Sequence, residues 1–149
     1  MELRPYRPAD CPVLAQLFYA TVHRVNCKDY TPQQCRSWAT GQVDLAEWNR
    51  SFLCHCTLVA WEKGAILGFG DMAPEGYLDR LYVRWDRQGE GIGYALCQAL
   101  EAAVPSARYH TYASLTARPF FLRQGYRVAA ENQVLRNGVL LPNFLMEKP

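Results

Sequence analysis

The run Leu81-Tyr82-Val83-Arg84-Trp85-Asp86-Arg87-Gln88-Gly89-Glu90-Gly91-Ile92-Gly93-Tyr94 constrains the fold of this chain more than any other segment. The apolar and aromatic residues up to Val83 predict a strand. Glycines at 89, 91 and 93 predict a turn, and the residues from Ile92 to Ala103 a helix. The first amides of a helix have no internal acceptor and lie at the positive end of its dipole. Glycines there remove the Cβ atoms that would hold a phosphate off the backbone. The segment therefore predicts a pyrophosphate site. A dinucleotide-binding loop would follow the first strand of the fold, whereas here three or four strands come before it. A P-loop would need Gly-Lys-Ser/Thr at the helix start, which is missing. A glycine turn that only packs tightly is the remaining alternative.

The 149 residues suit one domain, and half of them are hydrophobic, enough for a sizeable core. The formal net charge is +2 with no block of like charges, which argues against nucleic-acid or polybasic membrane binding. Apolar stretches are short and broken by charge, so no membrane span is expected. Met1-Glu2-Leu3-Arg4-Pro5 has no hydrophobic signal core, which predicts a cytoplasmic protein. The six cysteines are expected as free thiols. Cys54-His55-Cys56 lacks the four-ligand spacing of a structural zinc site, so no metal is expected.

Glu2 to Arg7 reads as a first strand, followed by Asp10 as an N-cap and a helix over 11–25. Thr31-Pro32-Gln33-Gln34 opens a second helix with a capping box, and Asp44 with Glu47 opens a third, to about Phe52. His55–Glu62, Ala65–Met72 and Tyr77–Val83 read as an antiparallel meander. Beyond the glycine loop and its helix come a strand at Arg108–Ala113 and a short helix at Arg118–Gln124. A hairpin over Tyr126–Leu135 and Val139–Glu147, turning at Asn137-Gly138, ends the chain. The expected fold is α/β (α+β): one domain over 1–149, with a mixed, mostly antiparallel sheet of about seven strands flanked by helices.

Gln88-Gly89-Glu90-Gly91-Ile92-Gly93 matches Q-x-x-G-x-G and resembles the acetyl-CoA pyrophosphate signature of the GNAT acetyltransferase superfamily. Leu81-Tyr82-Val83 resembles the strand before that loop, and Ala117-x-x-Phe120-Phe121 with Gly125-Tyr126 resembles its later helix. Tyr30-Thr31-Pro32-Gln33-Gln34 with Trp38, Tyr77-Leu78-Asp79, Thr116 to Phe121 and Asn143-Phe144-Leu145-Met146 resemble the bacterial YafP-like branch. The resemblance implies acetyl-CoA as co-substrate, without a metal. It implies cofactor contacts from Leu81, Tyr82 and Val83, from Gln88, Gly89, Glu90, Gly91, Ile92, Gly93 and Tyr94, and from Ser114, Phe120 and Phe121. It also implies that a backbone amide, of Tyr82 or Val83, meets the thioester carbonyl. Two departures stand out. Ser114 occupies the family's usual asparagine position. Phe121 replaces the tyrosine that usually protonates the departing thiolate, and a phenyl ring has no proton to give.

Acyl transfer to an amine needs a base, an oxyanion partner and a route for the thiolate to leave. Asp79, on the strand entering the loop among apolar neighbours, is the expected base, because such surroundings raise a carboxyl pKa. The alternative is that it pairs with an arginine and serves structure only. His110 and Glu75 are weaker candidates, and His23 and His55 are assigned no role. Tyr30 and then Tyr112 are the candidate acids, unless solvent supplies the proton. The family pattern implies an acceptor cleft between the first helices and the final hairpin. Tyr30, Trp38, Trp48, Phe144 and Asp79 are its candidate lining, and core packing is the alternative for each ring. The expected function is acetyl transfer to a primary amine, of a small molecule in the first instance, by a monomer or homodimer. A lysine or N-terminal protein acetyltransferase and a non-catalytic acyl-CoA-binding module are the alternatives.

Overall fold

A glycine-permitted contact between a helix and a sheet organises the centre of the molecule. The computed structural model describes residues 1–149. Its first strands are β1 (Glu2–Pro5), β2 (Cys56–Glu62), β3 (Ala65–Met72) and β4 (Leu78–Val83), paired antiparallel in that order. A Cβ at Gly68 would lie 2.9 Å from the Tyr82 carbonyl and 3.3 Å from Ile92 and Leu96. Its absence lets helix α4 (Ile92–Ala103) sit directly on β3 and bury Ile92, Leu96 and Leu100. On the sheet's opposite face lie α1 (Cys11–Arg24), α2 (Pro32–Trp38) and α3 (Leu45–Cys54). Leu14, Phe18 and Val22 of α1 and Phe52 of α3 join Val59 and Phe69 in one core there.

The remaining elements are β5 (Tyr109–Ser114), α5 (Arg118–Arg123), β6 (Arg127–Arg136) and β7 (Val139–Lys148). They form a second antiparallel sheet, ordered β5-β7-β6. The seven strands are those expected, but they divide into two sheets between β4 and β5. These two strands run parallel and touch at one bridge, Tyr77 to His110, where the His110 N–H donates to the Gly76 carbonyl at 3.1 Å. One residue on, the Leu78 carbonyl accepts from the Thr111 hydroxyl at 2.8 Å rather than from a β5 amide. The strands then diverge and leave a V-shaped opening.

Local signals held with two exceptions. Thr31 accepts the Gln34 amide while the Gln34 side chain returns to Thr31, completing the capping box. Asp44 accepts the Glu47 amide. Asp10 caps no helix through its side chain: it ends a 3-10 turn over Pro8–Asp10, and Arg4 and the Arg7 amide take its carboxylate. The second exception is the expectation of six free thiols. Cys27 and Cys35 form a disulfide between the turn after α1 and helix α2, because the fold folds one back on the other. Cys11, Cys54, Cys56 and Cys97 are free. No helix is long and apolar enough to cross a membrane.

Candidate active site

Gly91 is the N-cap of α4 at φ +84°, a left-handed conformation that side chains resist, and no side chain caps the helix. The first intrahelical bond runs from the Ala95 amide to the Gly91 carbonyl, so the amides of 92–94 have no protein partner. Nothing lies within 4 Å of a Cβ built at Gly89 or Gly91, so the turn is open to an approaching group. The Gln88 side chain turns inward and donates to the Val83 and Arg84 carbonyls, at 2.8 and 3.1 Å, bracing the loop. Glu90 alone among the expected loop residues does not line the cavity. Its carboxylate, which would repel a phosphate, is held by Arg87 at 2.9 Å.

This turn forms one end of a cavity of about 510 Å³ that follows the splay between β4 and β5. Leu81, Tyr82, Val83, Ser114, Phe120 and Phe121 line it as expected. Lys28 and Arg123, which sequence reasoning did not single out, also line it and form no ion pair. The strand itself selects between the two expected amides. The Arg84 N–H donates to the Leu67 carbonyl of β3 at 2.8 Å. Alternation then turns the backbone of Tyr82 and Arg80 toward β3, and that of Val83 and Leu81 toward the opening. The Val83 carbonyl indeed accepts from Thr21 and Gln88, away from β3. Tyr82 therefore offers its ring but not its amide. Leu81 and Val83 present the open-edge amides.

A second cavity, of about 520 Å³, lies between the helices and the second sheet. Phe18, Tyr30, Trp38 and Trp48 wall it on the helical side, and Asn132, Val134 and Arg136 on β6 wall it opposite. The two cavities share Trp38, Asp79, Arg80, Tyr82, Tyr112 and Ser114. Their junction thus brings the expected base and one of the two expected acids beside the open edge of β4.

Asp79 owes its position to a β-bulge. Asp71 on β3 opposes Arg80 and Met72 opposes Leu78, so Asp79 is the extra residue. Burial pushes its carboxyl above the ordinary value; the Arg80 charge acts the other way and Asp71 adds to the rise. Part of the pairing alternative is present: Arg80 grips fully buried Asp71 at 2.6 and 3.0 Å and also forms a longer ion pair with Asp79 at 3.4 Å. His55 closes the same network from the other side, with Nδ1 2.8 Å from Asp71. The donor atoms of His55, Asp71 and Asp79 lie within 4.8 Å of one another, but Arg80 already occupies Asp71.

The candidate acids separate clearly. Tyr30 is buried; its hydroxyl donates to the Pro142 carbonyl at 2.7 Å and accepts the Leu115 amide at 3.0 Å. Burial also raises its pKa. It is a tie between the helices and the second sheet, which corrects its assignment as the first-choice acid. Tyr112 is 45% exposed, borders both cavities and has no hydrogen-bond partner in the protein. Phe121 is 3% exposed and packs on Phe120 and Tyr126. Phe144 is a further correction: it lines neither cavity. Alternation along β7 turns it with Met146 toward the other core, where Arg118 covers its ring. His110 stacks on Tyr77 and Glu75 lies in an exposed turn; both are outside the cavities. His23 contacts the Ala39 carbonyl at 2.8 Å. Tyr77 borders the acceptor side near Asp79, and burial pushes its phenol up to about 12.

Comparison with known proteins identifies the family and the fold. The family model "Acetyltransferase (GNAT) domain" matches residues 26–148. The N-acetyltransferase YafP of Escherichia coli (strain K12) is 30% identical over 146 residues, covering 98% of this chain and 94% of its own. The crystal structure of a GCN5-related N-acetyltransferase from Rhodopseudomonas palustris superposes with a TM-score of 0.93 at 33% identity. It covers 99% of this chain and 94% of its own. A PaiA N-acetyltransferase from Thermoplasma acidophilum, solved with coenzyme A, shares the fold with a TM-score of 0.79 at 18% identity, covering 99% of this chain and 97% of its own. Its loop, its split sheet and these relatives together make this chain a member of the GNAT acetyltransferase family.

Proposed function

We propose that the protein transfers an acetyl group directly from acetyl-CoA to the primary amine of a small molecule. The observation that carries this reading is the meeting of two cavities of similar size at Asp79 and Tyr112, against the unpaired edge of β4. The amides of 92–94 and the turn at Gly89 and Gly91 suit a diphosphate, and Lys28 and Arg123 add positive charge nearby. Leu81 and Val83 offer strand-like hydrogen bonds to a pantetheine arm laid along the opening. Phe120 and Phe121 supply its apolar wall.

In this reading Asp79 takes a proton from the arriving ammonium, and the burial that raises its pKa makes it a better proton acceptor than an ordinary carboxylate. An open-edge β4 amide donates to the thioester carbonyl oxygen as negative charge grows there. Tyr112 returns a proton to the departing sulfur. The acceptor cavity of about 520 Å³, walled by rings, fits a small molecule better than an extended peptide.

The test is release of free thiol from acetyl-CoA over a panel of primary amines, with acetylated product identified by mass. Thiol release that depends on an amine supports the proposal. Tight coenzyme A binding without release on any amine would leave the protein an acyl-CoA-binding module.

A further inference from the structure

The charges of the acceptor cavity form a pattern that the transfer step itself does not use. Its walls carry Asp79, Arg80 and Arg136 as their ionic groups. Arg80 is neutralised from behind by Asp71, which is 0% exposed and grips its guanidinium through two nitrogens. Asp79 keeps a longer contact with the same guanidinium, at 3.4 Å, and Arg136 is the one of the three with no ionic partner. Asp79 and Arg80 lie where the two cavities join, whereas Arg136 lines the acceptor cavity alone.

Arg136 is aimed by the strand rather than by a partner. It shares an inward face of β6 with Asn132 and Val134, at two-residue spacing. It makes no ion pair or hydrogen bond within the protein, unlike Arg4, Arg80, Arg84, Arg87 and Arg108. Its charge reaches across the cavity, where it favours the ionised forms of Tyr77 and Tyr82. Trp38, Trp48 and Tyr77 line the same cavity, as do Asn132 and Asn143, whose amides are bonded to each other at 2.8 Å.

Building on the acetyltransferase reading, we propose that the acceptor is a zwitterionic amine of amino-acid type. Its ammonium faces Asp79, its carboxylate faces Arg136, and an aromatic or apolar body lies against the rings. A guanidinium binds a carboxylate through a planar pair of hydrogen bonds, which an unpaired arginine is free to make. A polycationic amine meets one acid and an opposing charge, so it is disfavoured.

Matched acceptors test this: phenylalanine against phenylethylamine and tryptophan against tryptamine, each with acetyl-CoA and thiol release as the readout. The amino acid is expected to be favoured in kcat/KM by about tenfold or more, the scale of one charge-assisted pair. Arg136→Gln should bring the ratio close to one through KM, Arg136→Lys should keep part of it, and Arg136→Glu should favour the amine. Coenzyme A affinity, measured by calorimetry, reports separately that the donor site survives in each variant. Equal turnover of both members, or a ratio unmoved by Arg136→Gln, overturns the zwitterion assignment while amine acetylation stands. No turnover of any acceptor by a protein that still binds coenzyme A removes the acetyltransferase reading and this inference with it.

Discussion

The donor and acceptor cavities are nearly equal in volume, yet they are built on opposite principles. The donor side takes its free hydrogen-bond donors from backbone within residues 81–94, the helix-start amides at 92–94 and the open edge of β4, and is walled by side chains such as Phe120 and Phe121. The acceptor side uses side chains from three helices, β4 and the last hairpin, which only the tertiary fold assembles. A diphosphate is a compact fixed charge, which backbone dipoles suffice to hold. An acceptor differs by its body and its charges, and side chains must read those.

That contrast can be broken by variants that act on one cavity and spare the other. The largest effect is expected from Asp79→Asn, with kcat reduced about 10²–10⁴-fold, the range for loss of a general base, and coenzyme A affinity retained. The base works when ionised, so wild-type activity falls as pH drops through its pKa. Because burial raises that value, the acidic limb should lie above the about 4 of an unperturbed carboxyl, and Asp79→Asn should lack it. An ordinary carboxylate limb in the wild type would remove Asp79 from the base role.

Gly91→Val should lower coenzyme A affinity by about 100-fold, given a strain of about 1–3 kcal/mol for a side chain at positive φ together with a blocked amide cradle. The space around it is open, so the circular dichroism of the folded chain should persist. Unchanged affinity by calorimetry would displace the diphosphate from this loop.

The two tyrosines sharpen the comparison further. Tyr112→Phe should cost about tenfold in kcat, the lower side of proton-transfer effects, with little change in melting temperature. Tyr30→Phe strands the Leu115 amide and the Pro142 carbonyl, so it should appear chiefly as a stability loss of about 1–3 kcal/mol in denaturant titration. The reverse allocation would restore Tyr30 as the acid. The smallest effect concerns His55, whose pKa is raised by its hydrogen bond to Asp71 against the opposing effect of burial. Folding favours its protonated form. The associated stability is complete below about 6.5, the unfolded value, and is lost as pH climbs through the folded one. A melting-temperature profile of His55→Asn should be flatter across that window.

Much of the fold was legible because its punctuation is local. Thr31 and Gln34, Asp44 and Glu47, and the bounds of β3 and α4 follow from chemistry within one turn or one strand. Asp10 was misread because a local cap competed with Arg4, a partner on another element. Phe144 was misread because hydrophobicity says that a ring is buried without saying on which side of a sheet. Tyr30 could not be told from a catalytic phenol, since its partners stand 85 and 112 residues away in sequence. Arg136 carried no signal at all, because one arginine in a hairpin looks like any exposed cation.

The residues in order were enough to determine the glycine turn and the helix it opens, and their resemblance to the GNAT signature pointed to acetyl-CoA as the donor. A helix terminus and a left-handed glycine are consequences of neighbours in the chain. Tertiary structure alone decided which β4 amides remain unpaired, that a bulge presents Asp79, and that the unpaired Arg136 lines the same cavity as Asp79. Those features arise where two sheets part and three helices close over the gap, and no short stretch of sequence holds both sides of such a space.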